Sequence, residues 1–158
     1  MDSSLVKGFA DIIDMGADAL GDRDMLIMGD ERLTWNDMQA RAGQVANALA
    51  AEGIGTQDRV AFIDKNSVEY FELAFGCSLA NSVTVAVNWR LAPPEMAYIV
   101  NNSESQVLIT SVAKLDVVLE ALPAFEQVSL VLVVGECDLS GVEDSRIQSY
   151  AEALSTKP

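Results

Sequence analysis

The stretch Asp58–Leu91, DRVAFIDKNSVEYFELAFGCSLANSVTVAVNWRL, decides the fold. Arg59–Ile63 is short, apolar and bounded by charge, which predicts a strand; Val83–Val87 is β-branched and followed by a polar turn, which predicts a second. The 19 residues between them suffice for one crossover helix, and such crossovers join parallel strands. Asn66 is the predicted N-cap of that helix, with Glu69 three positions on facing the positive end of the helix dipole. Tyr70, Phe71, Phe75 and Leu79 are its expected core residues. Gly76 predicts close approach of a neighbour, since glycine otherwise costs about 1 kcal/mol in a helix.

The same alternation extends in both directions. Upstream, Leu5 to about Leu20 carries apolar residues at helical spacing (Leu5, Phe9, Ile12, Ile13, Ala17). Met25–Met28 and Arg32–Thr34 flank Gly29-Asp30-Glu31 as a small hairpin. Thr34 then caps a helix from Trp35 to Glu52, with Asp37 completing a capping-box pattern. Its apolar side is Trp35, Met38, Ala42, Val45, Ala46 and Leu49, and its wetter side Gln39, Arg41, Gln44 and Asn47. Gly53 ends it where a left-handed residue is needed.

Downstream, Pro93 and Pro94 open a short helix that ends at Asn101-Asn102, because prolines in a first turn forgo no intrahelical bond. Gln106–Thr110 is a third strand, Ser111 caps a helix that Pro123 stops near Leu122, and Val128–Val134 is a fourth strand, apolar on both faces. Glu136–Arg146 reads as an acidic turn region and Ile147–Leu154 as a last, loosely held helix. The expected fold class is therefore α/β, a three-layer parallel sheet flanked by helices. The expected division is a helix and hairpin over 1–34, an α/β subdomain over 35–155, and the start of a linker at 156–158.

Composition narrows the function. Half of the 158 residues are hydrophobic, enough for a sizeable core. The net charge of −14, with no lysine–arginine cluster along the sequence, argues against a nucleic-acid partner and against an anionic membrane surface. There is no histidine, so a Ser-His-Asp triad, a Cys-His pair and a histidine metal site are excluded within this chain. Cys77 reads as a small core residue and Cys137 lies in the acidic region; two cysteines sixty residues apart suit a reducing cytoplasm. No run approaches the roughly 20 apolar residues of a transmembrane segment. Asp11, Asp14, Asp18, Asp22 and Asp24 are read as a solvated face rather than a metal cluster, since no glycine-turned loop frames them, and no metal ligand is assigned.

Arg90 is the leading candidate for function. It lies just past the C-terminal end of a predicted parallel strand, the edge where open α/β sheets bind ligands, and a guanidinium there can grip a phosphate or pair with Glu95. Asn88 is expected to order the turn through its own side chain. Asp64, with Ser111 and Lys114 beyond another strand, is weighed as a phospho-acceptor pocket of the receiver type, but the second acidic pair and the last lysine of that pattern are missing.

Four segments, in order, resemble one family. Gly53-Ile54-Gly55-Thr56-Gln57-Asp58-Arg59-Val60-Ala61 matches a "G-(V/I)-x-x-G-D-R-V-A" run, and Asn66-Ser67-Val68-Glu69 an "N-S-x-E" helix start. Val85-Ala86-Val87-Asn88-Trp89-Arg90-Leu91-Ala92-Pro93-Pro94-Glu95 matches "V-x-V-N-x-R-L-x-x-x-E", and Leu33-Thr34-Trp35-Asn36-Asp37-Met38 resembles "L-T-Y-x-E-L". From about Leu33 to Thr110 the chain thus resembles the acyl-CoA synthetases of the adenylate-forming (AMP-binding) ligases.

The resemblance implies the N-terminal part of the large domain of such an enzyme. Its parent would convert a carboxylic acid, a fatty acid first and aryl acids next, with ATP, Mg2+ and CoA, to acyl-CoA, AMP and pyrophosphate by way of an acyl-adenylate. It also implies a CoA phosphate contact for Arg90, and places Trp89, where the family often has proline, as a wall of an acyl or pantetheine channel; packing is the alternative for Trp89. The family's Ser/Thr/Gly-rich phosphate loop, adenine-site aromatic motif, metal-binding glutamate and C-terminal lysine have no match here. The chain alone is accordingly expected to bind no cofactor and to be inactive. Its expected partner is the remainder of the same enzyme, and unpartnered apolar surface would favour a homo-oligomer. The alternative from another class is a stand-alone flavodoxin-like α/β binding or regulatory module.

Overall fold

The structure, a computed structural model, describes residues 8–136 and 138–155. The expected helix start at Leu5, Cys137 and the linker at 156–158 lie outside the described residues.

The first helix, α1 (Phe9–Leu20), leads into a hairpin of β1 (Asp24–Met28) and β2 (Glu31–Thr34), antiparallel as expected. Thr34 caps α2 (Trp35–Ala51): its hydroxyl accepts the Asp37 amide at 3.1 Å, and the Asp37 carboxylate accepts the Thr34 amide at 2.9 Å. The Thr34 hydroxyl also donates to that carboxylate at 2.7 Å, and this bond first, then the amide bond, holds the Asp37 carboxyl below its ordinary range. Gly53, at φ 80°, turns the chain out of the helix.

From there strands and helices alternate as far as β6: β3 (Arg59–Ile63), α3 (Val68–Leu79), β4 (Val83–Val87), α4 (Pro93–Asn102), β5 (Ser105–Ser111), α5 (Leu115–Ala121) and β6 (Leu130–Val134); β7 (Ile147–Ser149) and α6 (Tyr150–Ser155) follow. The five later strands form one parallel sheet in the order β4-β3-β5-β6-β7. The chain thus leaves β3 for one edge and returns past it to β5, so a topological switch point falls between β3 and β5.

Side-chain alternation divides the core into layers. Ala61, Ile63, Leu108, Val131 and Val133 meet α4 and α5 on one face. Val60, Phe62, Val107, Ile109, Leu130 and Leu132 meet α2, α3 and Tyr150 of α6 on the other. Both faces are covered, which is why these strands read as unbroken apolar runs. A third cluster joins Ile13, Leu33, Met38, Ala42, Val68 and Phe75, fixing α1 and the hairpin on α2 and α3.

Gly76 does what its position predicts. A Cβ there would lie 2.6 Å from Val45 Cγ1 and 3.0 Å from the Ala42 carbonyl, so α2 and α3 touch through a gap only glycine leaves. Cys77 is buried, and burial raises its thiol pKa, leaving it a packing residue.

Four local expectations are corrected. The cap of α3 is Ser67, whose hydroxyl accepts the Tyr70 amide at 3.4 Å, one residue beyond Asn66. Leu79 is exposed, being on the last turn of α3 and past its packed face. Ser111 makes no side-chain cap, because Val112–Lys114 forms a 3-10 turn before α5; Pro123 sits inside a second such turn, Leu122–Ala124. Ile147–Ser149 is a strand pairing with Val131–Val133, and only Tyr150–Ser155 is helical. Arg41 stays half-exposed on the wetter side of α2, as expected, and from there reaches a buried carboxylate.

Candidate functional site at the carboxyl edge of the sheet

A parallel sheet delivers every strand's C-terminal end to one edge, where the loops are free of ladder bonds. Here that edge collects Asp64 and Lys65 after β3, Asn88, Trp89 and Arg90 after β4, and Ser111 to Lys114 after β5. Asn88 orders its turn: its Oδ1 accepts the Arg90 amide at 3.0 Å. The turn projects Trp89, and three cations converge on the indole. The Arg90 Cζ lies 4.1 Å from the ring centroid, the Lys114 Nζ 4.2 Å and the Lys65 Nζ 4.9 Å. Asp64, Lys65, Asn66, Trp89 and Arg90 line an open cleft of about 520 Å³ beside it.

Arg90 and Trp89 are therefore adjacent and in contact. Glu95, the alternative partner for Arg90, instead accepts the Ala92 amide at 2.9 Å and caps α4. Asp64 does not assemble an acceptor pocket with Ser111 and Lys114: its Oδ1 accepts the Lys65 amide at 2.6 Å, and Lys114 is turned to Trp89. The early aspartates are dispersed among separate partners, Asp14 with Gln39 and Asp24 with Arg32, and no metal-binding group of three acidic or cysteine side chains forms among the described residues.

A second charged centre was not read from the sequence. Glu72 of α3 is buried, and its carboxylate accepts from Arg41 Nη1 at 2.9 Å and from the Tyr150 hydroxyl at 2.8 Å. Burial opposes the Arg41 charge, yet Glu72, with Glu31 behind it at 3.5 Å, more than offsets this and raises the guanidinium pKa. Burial, then the Glu72 charge, pushes the Tyr150 phenol far above its ordinary range. The available signal was a carboxylate on the packed face of a helix, in register with Val68 and Phe75. A cleft of about 320 Å³ opens beside it, lined by Arg41, Gln44, Glu69 and Tyr150 among others.

Solved structures share this fold. The anthranilate CoA ligase AuaEII, in complex with anthranoyl-AMP, aligns with a TM-score of 0.87 over 99% of this chain and 30% of its own, at 23% identity. The N-terminal domain of FACL13 from Mycobacterium tuberculosis aligns with a TM-score of 0.80 at 26% identity, over 97% of this chain and 36% of its own. The architecture is that of the N-terminal domains of AMP-binding ligases. The sequence profile of the AMP-binding enzymes matches residues 14–156, and the chain belongs to that family.

Curated relatives agree. A medium/long-chain-fatty-acid–CoA/3-oxocholest-4-en-26-oate–CoA ligase of Mycobacterium marinum is 32% identical over 131 residues, which is 83% of this chain and 24% of the relative. The long-chain-fatty-acid–CoA ligase FadD13 of M. tuberculosis is 42% identical over 80 residues, 51% of this chain and 16% of its own. The chain spans about a quarter or less of the length of these relatives. No helix among the described residues is long and apolar enough to cross a membrane.

Proposed function

We propose that this chain forms the N-terminal scaffold of an ATP-dependent acyl-CoA synthetase working in the cytoplasm, with a fatty acid as its acid substrate. The observation that carries the reading is the family match over 14–156, together with fatty-acid–CoA ligases among the relatives. When ATP, magnesium and CoA are bound, the acid is activated as its adenylate and the acyl group passes to the CoA thiol. The chain lacks the phosphate loop and the metal-binding glutamate of the family, so ATP and magnesium are assigned to the remainder of the parent enzyme, its expected partner.

CoA is the group that this chain's own residues fit. Arg90 stands at the ligand-binding edge of the sheet with no carboxylate ion pair among the described residues, and a guanidinium suits phosphate oxygens. Trp89 holds that guanidinium against its ring and presents the remaining indole surface as a wall of the channel. The sheet and its helices supply the rigid base from which both project.

Two measurements test the reading. The 158-residue chain is expected to show no acid-dependent ATP–pyrophosphate exchange; exchange above background would sink the scaffold assignment. In the parent enzyme, Arg90→Ala is expected to raise KM for CoA about tenfold, the loss of roughly one charge-assisted bond, with KM for ATP unchanged. An unchanged KM for CoA removes Arg90 from the site.

A further inference from the structure

We propose that Lys65 and Lys114 join Arg90 around Trp89 to form one composite binding site for a multiply charged phosphate anion. Acidic residues outnumber basic ones 24 to 10 in this chain, so a cation has carboxylates to choose from. Arg32, Arg59 and Arg146 each take one, and Arg41 takes two. Lys65, Arg90 and Lys114, like Arg23, take none among the described residues. The first three gather instead on one indole, each within 5 Å of its centroid, so no two charged groups are more than about 9 Å apart. That is inside the screening length of ~10 Å at 0.1 M salt, and the three repel one another.

Cation–π attraction holds the cluster in place but leaves its charge uncompensated. A multiply charged anion supplies the missing charge, and the three groups suit one: a planar fork on Arg90 and two mobile ammonium groups. Location points the same way. Lys65 follows β3 and Lys114 lies in the turn after β5, so the lysines flank the switch point, where sheets of this kind take ligands. Trp89 and Arg90 close the group from β4. Among the described residues lining the adjoining cleft Asp64 is the one carboxylate; it accepts the Lys65 amide, forms no ion pair with the three cations, and leaves them in excess. The natural ligand rests on the CoA-ligase reading and is the phosphorylated nucleotide end of CoA; the anion site itself rests on the geometry alone.

The probes are inorganic pyrophosphate and adenosine 3′,5′-bisphosphate, titrated into the 158-residue chain. Indole fluorescence reports binding, calorimetry needs no substitution, and Trp89→Phe identifies the reporting ring. Pyrophosphate is expected to bind saturably, about threefold more weakly after Lys65→Ala or Lys114→Ala and about tenfold or more in the double variant, in keeping with lost charge-assisted contacts at an exposed site. Raising salt from about 0.05 to 0.5 M should weaken it further. Absence of binding, or equal affinity in the wild type and the double variant, overturns the composite site and leaves the family assignment standing. Tighter binding of the bisphosphate supports both the site and its CoA ligand. Equal binding of the two probes supports the anion site and removes the CoA nucleotide as its occupant.

Discussion

At Glu72 a buried carboxylate meets one guanidinium and one phenol, each within 2.9 Å. At Trp89 three cations meet an indole and no carboxylate. The first cluster neutralises itself: every charge removed from water finds its counterpart inside the fold. The second keeps its charge unspent at the surface, on loops carried by three adjacent strands. Internal compensation belongs to holding the chain together, and uncompensated like charge belongs to meeting something else.

The contrast can be broken most forcefully at Arg41. Arg41→Ala leaves Glu72 buried with only the Tyr150 hydroxyl, and is expected to cost about 2–3 kcal/mol in denaturant unfolding, less than a fully buried pair because the arginine side chain is 43% exposed. A loss below about 0.5 kcal/mol would remove the buried pair from the stability account. Tyr150→Phe comes next, at about 1.5 kcal/mol for one hydrogen bond to a charged acceptor. It has a pH signature as well. The folded-state phenol pKa is raised above the unfolded value of 10.0, so its contribution is complete below pH 10 and falls as pH rises beyond it. The wild type should lose stability above pH 10 more steeply than Tyr150→Phe; parallel curves would contradict the burial of that phenol. The smallest effect is expected at the other cluster. Lys65→Ala and Lys114→Ala should change stability by less than about 0.5 kcal/mol, or raise it slightly by relieving repulsion. A larger loss would make the Trp89 cluster structural, and the contrast would disappear.

Much of the fold was legible because its signals are local. The apolar run at Arg59–Ile63, the β-branched run at Val83–Val87, the Thr34–Asp37 box and the paired prolines at 93 and 94 each specify their element with little help from distant residues. What escaped was decided by distant partners. Ile147–Ser149 is a strand because β6 offers it an open edge, although its sequence runs smoothly into a helix. Asn66 and Ser67 are both good caps, and the path of the chain out of β3 selects the second. The site divides in the same way. Parallel strands announce which loops share an edge, so Arg90, Lys65 and Lys114 could be placed near one another from order alone. Their meeting on a single ring, and the meeting of Glu72 with Tyr150, depend on side-chain directions that periodicity does not carry.

The Glu72–Tyr150 bond also has a consequence in time. Its partners are 78 residues apart in sequence. At a synthesis rate of roughly 5–20 residues per second, the glutamate precedes its phenol from the ribosome by roughly 4–16 s. Throughout that interval the nascent chain holds the acid, with Arg41 already emerged, but cannot seal it. Until β7 and α6 have been made, Tyr150 cannot cover that side chain, so the Glu72–Tyr150 bond forms only when they dock.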